Sequence, residues 1–172
     1  FHPIDGMGHL DIPCGTGRFL EMLKDAHPRI RITGIDLSHP YLMAAKRVLK
    51  RWSRARLLQA NAEALLFRDN SFGSLSCIFL FHELPKNIRK LITKEIARVL
   101  RPRGQLYFLD SMQLGDQPDY DILLERFPLA FHEPYYLDFI RTDLTHLFKK
   151  VGLSVKQSDQ KFFAKLLVVE KP

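Results

Sequence analysis

Apolar and polar residues follow two periods along this chain, and the periods alternate in a regular order. Residues 9–12, 30–35, 57–60, 76–81 and 105–109 are short apolar or alternating runs, which predict buried strands. Between them, apolar residues recur at helical spacing. The first helical pattern covers residues 18–26, and in the second Leu42, Ala45, Val48, Leu49 and Trp52 form one apolar stripe. A third, over 88–100, carries apolar residues at 88, 91, 92, 96, 99 and 100 and is stopped by Pro102 and Gly104. Residues 153–157 and 162–169 close the chain as two antiparallel strands. Strands separated by helices predict a parallel sheet covered on both faces, and 172 residues suit a single domain with its own core.

The chemistry concentrates where the first strand turns into the first helix, at Asp11-Ile-Pro-Cys-Gly-Thr-Gly17. Gly15 and Gly17 permit a sharp turn and a close approach to a ligand. The helix behind them aims its unpaired N–H groups at that turn, so the arrangement suits a nucleotide-type ligand. A dinucleotide fingerprint needs a third glycine, but Arg18, Phe19 and Leu20 follow Gly17. Asp36 ends the second strand nineteen residues past Gly17, where an acid accepts hydrogen bonds from ribose hydroxyls.

This order resembles class I S-adenosylmethionine (SAM) methyltransferases. The matching features are Asp11 with its G-x-G turn, Asp36-Leu-Ser38, the stretch Asn61-Ala-Glu-Ala-Leu-Leu-Phe-Arg-Asp-Asn-Ser-Phe72, and the strand end Phe81-His-Glu-Leu-Pro85. Pro13, Leu66 and Gly73 stand where the family usually has glycine, proline and aspartate. Asp110-Ser-Met-Gln-Leu-Gly-Asp116 and Phe131-His-Glu-Pro-Tyr-Tyr136 are similar to a branch near the ubiquinone and menaquinone biosynthesis enzymes. The resemblance implies a Rossmann-like α/β/α sandwich around a mostly parallel seven-stranded sheet with an antiparallel last strand. It implies SAM as cofactor, held at its amino-acid end by Asp11, Cys14, Gly15, Thr16 and Gly17. Asp36 and Leu37 fall to the ribose, Asn61 and Ala62 to the adenine edge, and Leu80 and Phe81 to the sulfonium side. Family members usually carry one or two helices ahead of the first strand. A lid segment before Phe1 is therefore expected to be missing.

His82 and Tyr136 are the catalytic candidates. His82 follows a strand end, where ligands of open parallel sheets bind, and either takes a proton from the acceptor or orients its loop. Tyr120, Phe127, Phe131, His132, Tyr135, Tyr136 and Phe139 supply aromatic walls for a small apolar or aromatic acceptor, or pack a helix on the sheet. An RNA- or protein-modifying enzyme and a catalytically silent subunit of the same fold remain the alternatives.

The net charge of +7 gathers around Lys46, Arg47, Lys50, Arg51, Arg54 and Arg56. Without an interleaved aromatic platform this reads as a solvated face rather than a nucleic-acid footprint. Cys14 and Cys77 make no disulfide framework and have no evident partner to activate a thiol. His82-Glu83 is followed by Pro85 and Lys86, and His132-Glu133 by Tyr136, so neither completes the H-E-x-x-H zinc pattern and no metal is expected. No signal-peptide pattern opens the chain, and no apolar run approaches the roughly 20 residues that span a bilayer. A reducing cytoplasm is the expected location.

Overall fold

The protein is represented by a computed structural model that describes residues 8–50 and 52–172. Residues 1–7, at the expected lid boundary, and Arg51 of the basic cluster lie outside the described residues. The centre of the fold is β1 (His9–Ile12), which buries all four residues because a strand flanks it on each side. The flanking strands are β2 (Ile32–Asp36) and β4 (Phe72–Ile78). With β3 (Ala55–Gln59), β5 (Leu100–Ser111), β6 (Ser154–Lys161) and β7 (Ala164–Glu170) they form a seven-stranded sheet of order β3-β2-β1-β4-β5-β7-β6. The pairs from β3 through β5 are parallel, and β7 runs antiparallel to both neighbours.

The helices divide between the two faces, each filling one apolar cluster. α1 (Arg18–Ala26) and α2 (His39–Val48) bring Leu20, Leu23 and Leu42 against Ile32. On the other face, α3 (Lys86–Val99), α5 (Tyr136–Ile140) and α6 (Leu144–Lys149) bring Ile92, Ile96, Phe139 and Phe148 against Leu10, Ile12, Leu75 and Phe108. α4 (Asp121–Phe131) buries only Leu124 and leaves most of its apolar residues exposed. No described helix is long and apolar enough to cross a membrane.

Several boundaries differ from the sequence expectation for identifiable reasons. β4 starts at Phe72, four residues early, because Ser74 and Ser76 face β1 and bond to side chains there. It ends at Ile78, so residues 79–81 are not strand: Phe79 turns left-handed at φ 49 and Phe81–Glu83 forms one 3₁₀ turn. α3 ends at Val99 and runs directly into β5, which contains Pro102 and Gly104 rather than being preceded by them. Pairing of β4 with β5 jumps there from Phe72–Leu100 to Ser74–Gln105, so Pro102 needs no N–H in that ladder. β3 starts two residues early, and β6 extends to Lys161 although residues 156–161 are polar, because it is an edge strand. In α2, Leu42, Ala45 and Leu49 are buried as the stripe predicts and Trp52 is partly buried, but Val48 is exposed.

Candidate active site

The turn after β1 is held from two sides. Gly17 adopts φ +81, and a Cβ there would meet Ala45 of α2 at 2.9 Å, so only glycine lets α2 lie this close. Gly15 adopts φ +51 with nothing within 4 Å of its would-be Cβ, which leaves its outer side open to a ligand. Asp36 staples the loop to β2. Its Oδ2 accepts from the Gly15 N–H at 2.9 Å, and its Oδ1 accepts from the Ser38 N–H at 2.8 Å.

Above this loop lie two adjoining hollows of about 290 and 220 Å³ that share Pro13, Asp36, Tyr41 and Glu83. Asp11, Cys14, Gly15 and Thr16 border the first, and Leu37, Asn61, Ala62 and Leu80 border the second. Together they form one groove, more polar at the glycine loop than at its far end. That polarity suits a ligand with a charged amino-acid end and a flat base. Gly17 lies beneath the loop against α2, and Phe81 is fully buried against Phe108 at 4.9 Å between ring centroids. Tyr41 and Glu83 were not legible as groove residues, because each reads alone as an ordinary solvent-facing side chain.

Burial raises the Asp11 carboxyl to about 7; a hydrogen bond from Ser76 opposes this and the nearby Asp36 charge adds to it. Burial, with Asp11 and Asp36 close by, pushes the Cys14 thiol up to about 12, and burial also raises Cys77. Both shifts favour the protonated thiol, the less nucleophilic form.

Beside the groove, Asp110 at the end of β5 organises the turn after β4. Its Oδ2 accepts from the Phe81 N–H at 2.8 Å, and its Oδ1 accepts from the Ser111 N–H at 2.7 Å. The same Oδ1 lies 2.6 Å from His82 Nδ1. Burial alone would lower the His82 pKa, but the hydrogen bond and charge of Asp110, with Glu83 and Glu133, leave it raised. His82 Nε2 is 3.9 Å from Glu83, beyond hydrogen-bond distance. The His82 and Tyr136 rings meet edge-on at 6.1 Å, and the Tyr136 hydroxyl is 2.5 Å from Ser111 Oγ.

His82, Ser111 and Tyr136 open on an apolar cavity of about 550 Å³, walled by Phe127 and Phe131 of α4 and by Phe163 of the β6–β7 turn. Phe79 borders both cavity and groove, in a left-handed conformation that costs a non-glycine residue about 1–2 kcal/mol. The aromatic stretch therefore divides. Phe127, Phe131 and Tyr136 line the cavity, Phe139 is core, Tyr120 packs on Phe163 at 5.0 Å, and Tyr135 is exposed. His132 ends α4 at φ 53. Asp110, Phe79 and Phe163 were not read as site residues; Asp110 meets His82 and Phe163 meets Tyr120, each far away in the chain.

Arg18 borders the glycine-loop hollow and Arg126 the apolar cavity, but the basic cluster of α2 and its exit lies elsewhere. Residues 18–59 hold ten Lys or Arg against three Asp or Glu, and the rest of the chain holds sixteen of each. Lys24, Arg47, Lys50 and Trp52 border a hollow where α1 and α2 end. Those helices run back against the parallel strands, so their ends sit at the opposite end of the sheet from the groove.

Residues 10–104 match the family model described as a methyltransferase domain. A demethylmenaquinone methyltransferase of Bacillus licheniformis is 35% identical over 109 residues, 63% of this chain and 46% of that protein. The chain spans about half the length of the curated relatives it matches. Among solved structures, a SAM-dependent methyltransferase of Methanosarcina mazei superposes with a TM-score of 0.75 at 20% identity, over 98% of this chain and 93% of that one. The cyclase SpnF gives 0.75 at 18% identity, over 97% of this chain and 75% of that one, so this architecture alone does not fix a reaction. The family match covers more than half of the residues and coincides with the strand order and glycine turn, so the protein belongs to the class I methyltransferase-domain family.

Proposed function

We propose that this chain transfers a methyl group from SAM to a small apolar or aromatic acceptor whose reacting atom gives up a proton. The observation that carries the reading is the His82–Asp110 pair on the wall of an apolar cavity that meets the groove at Phe79. When bound, SAM supplies an electrophilic methyl on a sulfonium. The protein's work is alignment, exclusion of water and proton removal. Asp11 and the Cys14–Gly17 loop hold the amino-acid end, Asp36 and Leu37 the ribose, and Asn61, Ala62 and Leu80 the base. Asp110 keeps the hydrogen of neutral His82 on Nδ1, which leaves Nε2 as the proton acceptor. Tyr136 forms the acceptor wall. The name of the demethylmenaquinone relatives supports a ring-bearing acceptor. Two free, buried cysteines support a reducing compartment, the cytoplasm.

Calorimetry with SAM, S-adenosylhomocysteine (SAH) and NAD, followed by a methylation assay on a metabolite extract, tests the proposal. SAM and SAH are expected to bind and NAD is not. Asp36→Ala is expected to lose about 1–3 kcal/mol of SAH affinity, because the ribose loses a charged acceptor and the Gly15 and Ser38 N–H groups lose theirs. Undiminished affinity in that variant, or NAD binding, refutes the assignment.

An RNA acceptor is the second reading, favoured by the charge of residues 18–59. The position of Lys24, Arg47 and Lys50 where α1 and α2 end, away from the cavity, weakens it. Reversing Lys50 and Arg54 to Glu is expected to leave turnover of a small acceptor nearly unchanged. If RNA is the acceptor, the slope of log affinity against log salt falls by about one for each phosphate that the variant no longer neutralises.

A further inference from the structure

A row of four polar side chains on the α1 side of the sheet plays no part in the transfer chemistry, yet it ends at the groove. His9 and Asp11 lie two residues apart on β1, opposite Ser74 and Ser76 of β4. All four are buried. His9 Nδ1 is 2.9 Å from Ser74 Oγ, and His9 Nε2 is 2.9 Å from Ser76 Oγ. The Ser76 hydroxyl donates to Asp11 Oδ1. Central strands usually fill such positions with apolar side chains, and a buried polar row is tolerable only when its members are bonded to one another.

We propose that His9 is a positioning residue for cofactor binding: through Ser76 it maintains a hydrogen bond on Asp11 and keeps that group a carboxylate, ready for the ammonium of SAM. The direction of the donors follows from the end of the row. A carboxylate only accepts, so the Ser76 hydroxyl points its hydrogen at Asp11. Its oxygen then accepts from His9 Nε2–H. A neutral imidazole has one N–H, so Nδ1 accepts from the Ser74 hydroxyl. Burial pushes the His9 ring down to about 3, so it stays neutral and acts through this hydrogen bond rather than through charge. The groups whose charge couples to Asp11 do not help it ionise: they are Asp36 on β2 and the thiols of Cys14 and Cys77, while Arg18 of α1 and Glu83 border the same hollow without shifting it. Phe19 of α1 covers His9 at 6.4 Å between rings. With Asp11 at about 7, the hydrogen bond at the end of the row decides how much carboxylate exists near neutral pH.

The role rests on the proposed SAM site, and two measurements separate them. SAH binding, followed by calorimetry between about pH 5 and 9, is expected to strengthen as pH rises through the Asp11 midpoint. His9→Leu and Ser76→Ala are expected to move that midpoint up by about one unit, giving roughly tenfold weaker binding near pH 6 and near-normal binding near pH 9. Ser74→Ala keeps the ring and gives a smaller shift in the same direction, which preserves the test if His9→Leu does not fold. Independently, ¹⁵N shifts of the ligand-free protein at alkaline pH are expected to report His9 as the Nε2–H tautomer. An Nδ1–H ring there, or a loss of SAH affinity equal at every pH, overturns the role alone. Absence of SAH binding by the unaltered protein at every pH overturns the methyltransferase reading and this role with it.

Discussion

Replacing His82 with alanine is expected to lower kcat by about 100- to 10,000-fold while SAM affinity stays within a few fold. The asymmetry follows from position. His82 lines the apolar cavity, with 14% of its side chain exposed, and does not border the groove that holds Asp36 and Asn61. Loss of a base removes an interaction made in the transition state, so kcat and kcat/KM fall together. Tyr136→Ala, by contrast, removes a wall and is expected mainly to raise the acceptor KM. The pH dependence has a definite sign. A base works when unprotonated, and His82 is raised above 6.5, so the rate climbs as pH rises through a midpoint above that value. Asp110→Asn removes the main cause of the rise, so this limb moves to lower pH while the maximal rate drops. The pairing also stabilises the fold fully below the unfolded histidine midpoint, and that contribution is lost as pH rises through the folded one. A kcat unchanged in His82→Ala, or a pH limb unmoved by Asp110→Asn, returns His82 to a loop-orienting role.

Asp138→Ala is expected to destabilise the fold by about 2–4 kcal/mol, more than Arg89→Met at about 1–2 kcal/mol. The order is opposite to what exposure suggests, because half of the Asp138 side chain is in solvent and Arg89 is buried. Removing Asp138 strands a buried guanidinium that pairs with it and otherwise has, among the described residues, Thr142 Oγ1 at 2.8 Å, the Leu84 carbonyl at 3.0 Å and the Phe139 ring face at 5.8 Å. Replacing Arg89 with methionine leaves a flexible apolar chain in the same space, and Asp138 turns to water. Arg89 anchors α3 to the segment that carries Tyr136, so Asp138→Ala is also expected to raise the acceptor KM. Urea unfolding of both variants decides the point, and equal or reversed losses refute the argument.

Much of the groove was legible because its signals are local. A glycine turn, an acid at a strand end and the order of motifs are readable from neighbours in the chain, and Asp11, Asp36, Asn61 and Leu80 line one groove. The apolar cavity was legible only in outline. His82 and Tyr136 were visible as residue types, but the partner that raises the His82 pKa is Asp110, 28 residues away at the end of β5. Arg89 reads as one more helix cation and is instead among the largest fully buried side chains.

The sequence by itself determined the alternation of strands and helices, the reversed final strand, the glycine turn and its acid, because periodicity and turn chemistry act over a few residues. Tertiary structure decided which distant side chains meet: the Asp110–His82 pair, the Phe163 wall and the polar row from Ser74 to Asp11. Those contacts depend on register and on desolvation at a particular depth. A histidine or serine in a strand carries the same letter whether it faces water or a carboxylate, and only the packed sheet sets which.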